Sequence, residues 1–422
     1  MTRQQCPLTL DPAGADLPGE VRKLRQLGPV TRVVLPGDVP AWMVSGLAEA
    51  KQLMTDPRIS KDPRRHWQAW IDGRVTTDWS LAKWVSLKNM FTSAGADHSR
   101  LRKFVAAGFT MRQVRRLRPE IERLVADLLD GIAQLPPDEP VDLRTAYAEP
   151  LPARVICLLF GVPEEQRLPL RRLIAALHDT ALPAAAAQEA AGEMYAILAD
   201  LVATRRAEPG EDLTSALLAA QSAAEGADAI TEQELTDTLL HLVAAGYETT
   251  ATLIDRCVHA LLTHPAQLEL IREGLYGWED AVDEILRLDP PAANFLLRYA
   301  TEDVSIAGEL IPRGDAIVVS AMGAGRDERV HGDDADRFDL TRGTRATHVA
   351  FGHGVHHCLG APLGRMEAVI ALDSLFAAFP DLRLAVPVDR LEPVSSLVLN
   401  GHRELPVLPG PRAGTALSVA GL

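Results

Sequence analysis

Phe351-Gly352-His353-Gly354-Val355-His356-His357-Cys358-Leu359-Gly360 is the stretch on which the reading of this chain turns. Glycines surround one cysteine, and a helix start, Ala361-Pro362-Leu363, follows at once. Glycine permits tight turns and close backbone approach. Backbone N–H groups aimed at a sulfur, with the positive end of the next helix behind them, favour thiolate over thiol. A lone Gly-x-Gly beside a cysteine is ordinarily a loop over a buried thiol. The whole ten-residue arrangement instead reads as a thiolate presented to a metal.

Working outward, two segments upstream carry further chemistry. Thr231-Glu232-Gln233-Glu234 has the form of a capping box, and helical spacing then runs without proline to Thr263, ahead of Pro265. That is roughly 30 residues, or about 45 Å of helix. Its middle, Ala245-Gly246-Tyr247-Glu248-Thr249-Thr250, is a poor choice for a helix centre. A hydroxyl bonding back to a carbonyl beside a glycine can open the helical ladder and leave room for small molecules. The second segment, Glu284-Ile285-Leu286-Arg287, lies in a helix expected over Trp278–Leu288. Alone, its Glu–Arg pair would be a solvated contact worth a few tenths of a kcal/mol, roughly.

Taken together, these segments resemble the cytochrome P450 family, and the likeness extends over essentially the whole chain. The resemblance implies a mainly α fold with a smaller β portion, a long central helix crossing over the haem, and a single domain over residues 1–422. It implies haem b as cofactor, with Cys358 as axial ligand of the iron and Phe351 packed beneath the macrocycle, shielding the sulfur. Glu284 and Arg287 match the family's ExxR pair, and Arg337, in Asp336-Arg337-Phe338, matches the arginine that completes a buried Glu–Arg–Arg network. Glu248 and Thr249 match the acid–alcohol pair that delivers protons for O–O cleavage, with Ala245 and Gly246 beside the haem. His98 and Arg102, at i and i+4, match propionate-binding positions, as do Arg298 and His356, while Gly360 adjoins the ligand. Three departures stand out: Glu248 where Asp is more common, His357 where an apolar residue is more usual, and Gly364 where Ala is commoner.

The remainder agrees with that reading. The 422 residues are 47% hydrophobic and only 5% aromatic, which favours helices. A formal charge of −14 argues against a nucleic-acid partner. Cys6, Cys157, Cys257 and Cys358 are scattered, so neither a zinc knuckle nor a disulfide framework is expected. The first twenty residues read as neither signal peptide nor membrane anchor. These features suggest a soluble cytoplasmic protein, expected as a monomer.

Val30–Leu35 and Ala41–Val44 read as a hairpin, and Asp56–Phe91, with its tryptophans, as a lid. Helical spacing is expected over Arg100–Phe109, Pro119–Ala133, Pro152–Phe160, Pro183–Arg205 and Leu363–Phe379, with a loop at Glu208–Asp212. Short strands are expected at Leu296–Tyr299, Val304–Ile306, Ala316–Ser320 and within Leu384–Leu408.

By analogy the substrate pocket would be lined by Trp67 to Phe91, by His241 and Leu242, by Ala292 and Phe295, and by Leu397 and Val398. A hydrophobic small molecule and dioxygen would be the substrates. No fused flavin or nicotinamide motif is found, so electrons would come from a ferredoxin and ferredoxin reductase. Arg112, Arg115, Arg116 and Arg118 form a basic run suited to an acidic ferredoxin. A peroxide-driven peroxygenase, a haem-thiolate isomerase and a non-catalytic haem sensor are the competing readings. Retention of Glu248 and Thr249 favours the oxygen-dependent enzyme.

Overall fold

The computed structural model describes residues 7–414, so Cys6 lies outside the described residues. The chain is mainly α-helical with a smaller β portion. The central helix spans Glu232–Thr263 and carries the expected capping box, with Thr231 and Glu234 bonded reciprocally. Its 32 residues are buried along most of their length. One half, Leu235 to Tyr247, packs into an apolar cluster with the helices Pro150–Phe160, Ala184–Ala207 and Leu213–Ala223. The other half, Leu253 to Leu261, packs with the helices Met111–Ala133, Trp278–Leu288 and Ala361–Ala378. Its apolar residues are packed on several sides, and the polar Asp237, Glu248 and Asp255 are buried along with them.

The main sheet has six strands, in the order Leu8–Thr9, Val30–Leu35, Val39–Val44, Ala316–Ser320, Asn294–Ala300 and Ile59–Ser60. Val30–Leu35 and Val39–Val44 form the expected hairpin, Leu35 opposite Val39. The register shifts between Phe295 and Arg298, and a bulge of this kind re-aims side chains. Phe295 and Arg298 both line the internal cavity.

Several boundaries differ from the sequence reading. Pro119 does not begin a helix: the helix starts at Met111, capped by Thr110 and Gln113, and carries Pro119 within it. The helix Glu164–His178, with Pro169 inside, was not anticipated, because interior prolines ordinarily read as breaks. Asp56–Phe91 is not a uniform lid. Trp67 is buried in the sheet's core, stacked on Tyr299 at 5.4 Å and edge-on to Trp79 at 5.5 Å. Its later part, with Trp84, Met90 and Phe91, does line the cavity. No helix among the described residues is long and apolar enough to cross a membrane.

Candidate active site

The cavity lies between the cysteine loop and the central helix. Gly352 and Gly354 adopt φ of 73° and 71°, the left-handed region that only glycine enters freely. At Gly354 a Cβ would also stand 2.9 Å from the Met54 carbonyl, so the loop has no room for a side chain there. The turn closes through Cys358 N–H donating to the Phe351 carbonyl at 2.8 Å and His357 N–H to that of Gly354 at 3.0 Å. Cys358 lies deep in the protein, yet its exposed surface faces the cavity that it lines. Burial pushes its thiol pKa up, while the N–H groups of Gly360 and Ala361 and the charge of Arg102 pull it down. A bound cation would complete that downward pull.

Across the cavity, Thr249 donates its hydroxyl to the Ala245 carbonyl at 2.7 Å. Ala245, Gly246, Thr249 and Thr250 line the cavity. The helix nevertheless runs through this point as unbroken α-helix, so the expected opening is confined to the hydroxyl bond. A Cβ on Gly246 would stand 2.5 Å from Ile156 Cδ1, so this glycine admits a neighbouring helix. Gly364 has an equally local reason: a Cβ there would stand 3.3 Å from Thr250 Oγ1.

Glu248 does not share the cavity with Thr249. Consecutive helical residues point about 100° apart, and Glu248 is buried against Arg144, in an ion pair the sequence did not reveal. Arg144 also holds Glu149 at 2.9 Å and lies 3.6 Å from Asp255. Burial raises the Glu248 pKa, and Arg144 opposes the rise. A second acid went unread. Glu367 lines the cavity, is 1% exposed, leaves Oε2 without a partner, and has its pKa raised by burial to about 8.

His98, Arg102, Arg298 and His356 converge on the cavity as expected. The rings of His98 and His356 stand 4.0 Å apart, and Arg102 donates to the His357 carbonyl at 2.8 Å. His98 Nε2 and Arg298 Nη1 are buried with no hydrogen-bond partner. Burial, then Arg102, lowers the His98 pKa to about 4, and burial lowers that of Arg298 to about 10. Buried donors without acceptors are costly, so this group fits an anionic ligand. A thiolate-favouring loop on one side, unmatched donors at one edge and apolar walls elsewhere suit a haem with its two carboxylates.

The network behind the loop corrects one assignment. Arg287 makes two bonds of 2.7 Å to Glu284, and both side chains are fully buried. The third member is Arg342, whose Nε lies 3.4 Å from Glu284 Oε1, and not Arg337. The Arg337 side chain is exposed, and the residue contributes its backbone carbonyl, which accepts from Arg287 at 3.0 Å.

On the substrate side His241, Leu242, Ala292, Phe295 and Val398 line the cavity. Leu397 does not. It is fully buried in the sheet's core, with its N–H bonded to Thr180 and its carbonyl to Asn294. Lys61 and His178 also line the cavity and were missed.

The comparisons agree with this geometry. The family model "Cytochrome P450" matches residues 181–275 and 278–398. The chain is 43% identical to 2-hydroxy-5-methyl-1-naphthoate 7-hydroxylase of Streptomyces carzinostaticus, over 95% of this chain and 97% of that one. The solved structure of CYP154A1 from Streptomyces coelicolor A3(2) is 49% identical, with a TM-score of 0.90 over 95% of this chain and 100% of that one. CYP154C4 from Streptomyces sp. W2061 is 40% identical, with a TM-score of 0.93 over 98% and 100%. On sequence and fold alike, the chain belongs to the cytochrome P450 family of haem-thiolate monooxygenases.

Proposed function

We propose that Cys358 is the axial thiolate of a haem b, in a single domain over residues 1–422, and that the enzyme oxidises a hydrophobic product of secondary metabolism. The observation that carries this is the placing of Cys358 and Thr249 on opposing elements of one cavity whose edge holds unmatched cations. Bound there, the haem supplies oxygen activation, which electron density from an axial thiolate favours. Phe351 covers the sulfur from water, and the N–H groups of Gly360 and Ala361 stabilise its charge. Arg102 and Arg298 pair with the two propionates, with His98 and His356 as further hydrogen-bond partners. Ala245 and Gly246 offer a low surface beside the haem.

Thr249 Oγ1 spends its proton on Ala245, which leaves its lone pairs to hold a water in the cavity. Glu248 exchanges protons with that water when it turns away from Arg144. Glu284, Arg287 and Arg342 act structurally, by fixing the segment that leads to the cysteine loop.

Electrons come from outside the chain, through a ferredoxin and its reductase. Arg112, Arg115 and Arg116 are exposed near the start of the helix Met111–Ala133 and suit an acidic partner, while Arg118 is engaged by Glu122 at 3.0 Å. The acidic composition and scattered thiols support a cytoplasmic monomer without a nucleic-acid partner. Likeness to a naphthoate hydroxylase supports a ring-bearing substrate.

The test is product formation with a ferredoxin, its reductase, NAD(P)H and dioxygen, set beside hydrogen peroxide alone. Product is expected from the complete electron chain and not from peroxide. Equal turnover with peroxide would establish the peroxygenase reading instead.

A further inference from the structure

Trp84 and His178 meet at the cavity wall. Both residues line the cavity, and their rings pack edge-on with centroids 5.4 Å apart. Trp84 ends the short turn Ala82–Trp84 in the later part of the tryptophan-bearing segment, and His178 is the last residue of the helix Glu164–His178.

Two anchors hold this corner in place. Lys83 Nζ donates to the Ala176 carbonyl at 3.4 Å and to the Asp179 carbonyl at 2.9 Å, on either side of His178 in the chain. A lysine there meets carbonyls that the end of a helix leaves without intrahelical donors. Thr180, only 1% exposed, accepts from the Leu397 N–H at 2.8 Å and donates its hydroxyl to the Pro12 carbonyl at 2.6 Å. His178 is therefore carried on a segment fixed from both sides, as a recognition group must be.

Hydrogen bonding at this corner is incomplete. His178 Nδ1 lies 2.9 Å from the Ile174 carbonyl. A carbonyl only accepts, so Nδ1 carries the ring proton and Nε2 keeps its lone pair. Burial, with the charge of Lys83 adding to it, lowers the His178 pKa to about 4, so the ring is neutral. No donor among the described residues reaches Nε2. Trp84 Nε1 is the converse, a buried N–H with no acceptor. A hydroxyl satisfies both rings, because its oxygen gives one hydrogen bond and accepts another. A ketone or an ether leaves Nε2 unmet.

We propose that His178 and Trp84 form a hydroxyl-recognition site, and that the enzyme selects ring-bearing phenols or alcohols by it. His178 Nε2 accepts the hydrogen bond of the hydroxyl, and Trp84 Nε1 donates to its oxygen. This rests on the reading of the cavity as haem site plus substrate site.

The experiment titrates haem-loaded protein with 2-naphthol and with 2-methoxynaphthalene, reading each Kd from the shift of the haem absorption band. The ether keeps the rings and the oxygen but has no proton to give. Wild type is expected to bind the naphthol more tightly. His178→Phe keeps a flat ring without the acceptor, and should reduce the naphthol's advantage by roughly threefold to tenfold, the worth of one hydrogen bond. His178→Leu provides a second variant should His178→Phe fold poorly. Trp84→Phe removes a bond that both ligands accept, and should weaken both by a similar factor. An advantage that survives unchanged in the haem-loaded His178 variants overturns the proposal. So does one that falls in His241→Phe and not in His178→Phe, since the acceptor is then the other imidazole on the wall. Unchanged binding of both ligands by Trp84→Phe overturns the two-sided site. The carbon monoxide spectrum of each sample separates the two levels of failure. A normal thiolate band with an unchanged advantage sinks this proposal alone, whereas a missing band sinks the reading beneath it.

Discussion

Glu284→Ala is expected to cost about 3–5 kcal/mol, because it strands a buried arginine without its counter-charge. The expected phenotype is a poor yield of haem-loaded protein, not a folded enzyme that lacks activity. Arg287 does more than pair with Glu284. It also donates to the carbonyls of Gly325 at 2.6 Å, Ala335 at 2.7 Å and Arg337 at 3.0 Å. Glu284 Oε1 in turn accepts from the Asp339 N–H at 3.0 Å. One ion pair thus ties the helix Trp278–Leu288 to the irregular segment that leads to the cysteine loop. Native proteins are stable by only about 5–15 kcal/mol, so the loss removes much of the margin. Arg342→Ala leaves Glu284 still paired with Arg287 and removes bonds to the His331 carbonyl at 2.6 Å and Asp334 at 2.8 Å, so it is expected to cost less, about 1–3 kcal/mol. Arg337→Ala removes an exposed side chain and leaves the carbonyl in place, so stability should not change. Denaturant melts of the haem-loaded variants check this order. Equal losses for Arg337→Ala and Arg342→Ala would overturn the assignment of the third member.

Thr249→Ala should separate electron use from product. The substitution removes the hydroxyl with little change in bulk, so folding and haem content should survive. The Ala245 carbonyl loses its side-chain donor, and the cavity loses the oxygen that positions a water. NAD(P)H should still be oxidised, but two electrons and two protons would leave with dioxygen as hydrogen peroxide. Product per NAD(P)H should fall by roughly tenfold or more, the range in which loss of a positioned proton donor acts. Thr249→Ser retains the oxygen and should recover most of the yield. Unchanged coupling in Thr249→Ala would transfer the role to another group, with Thr250 and Glu367 as candidates on the cavity wall. Glu248→Gln should slow turnover without releasing peroxide, since it removes an ionisable group that lies away from the cavity.

How much of this was legible in the sequence depends on how local each cause is. The capping box at Thr231, the hairpin around Gly37 and the helix Trp278–Leu288 were readable because each rests on contacts within a few residues. Arg337 was confused with Arg342 because both arginines lie in one irregular segment. Which of them turns inward depends on a backbone path that no periodicity records. Leu397 failed by one position: the backbone bends at Leu397 and Val398, so that Val398 and Leu399 reach the cavity while Leu397 stays in the core. Glu248 was set beside Thr249 by the family's acid–alcohol pattern, while its partner Arg144 comes from 104 residues earlier in the chain. Lys61 gave no signal at all, since an isolated lysine in a polar stretch ordinarily lies in water. Its burial follows from the packing of Ile59–Ser60 against Asn294–Ala300, a contact between segments more than 230 residues apart.

The central claim is that Cys358 binds the haem iron as thiolate, and the carbon monoxide difference spectrum of the reduced protein tests it most directly. Wild type should show the strongly red-shifted band of thiolate ligation. Cys358→Ser and Cys358→His should lose that band, while Cys157→Ser and Cys257→Ser should keep it wherever they fold. A red-shifted band that persists in the Cys358 variants, or its absence from fully haem-loaded wild type, would contradict the account.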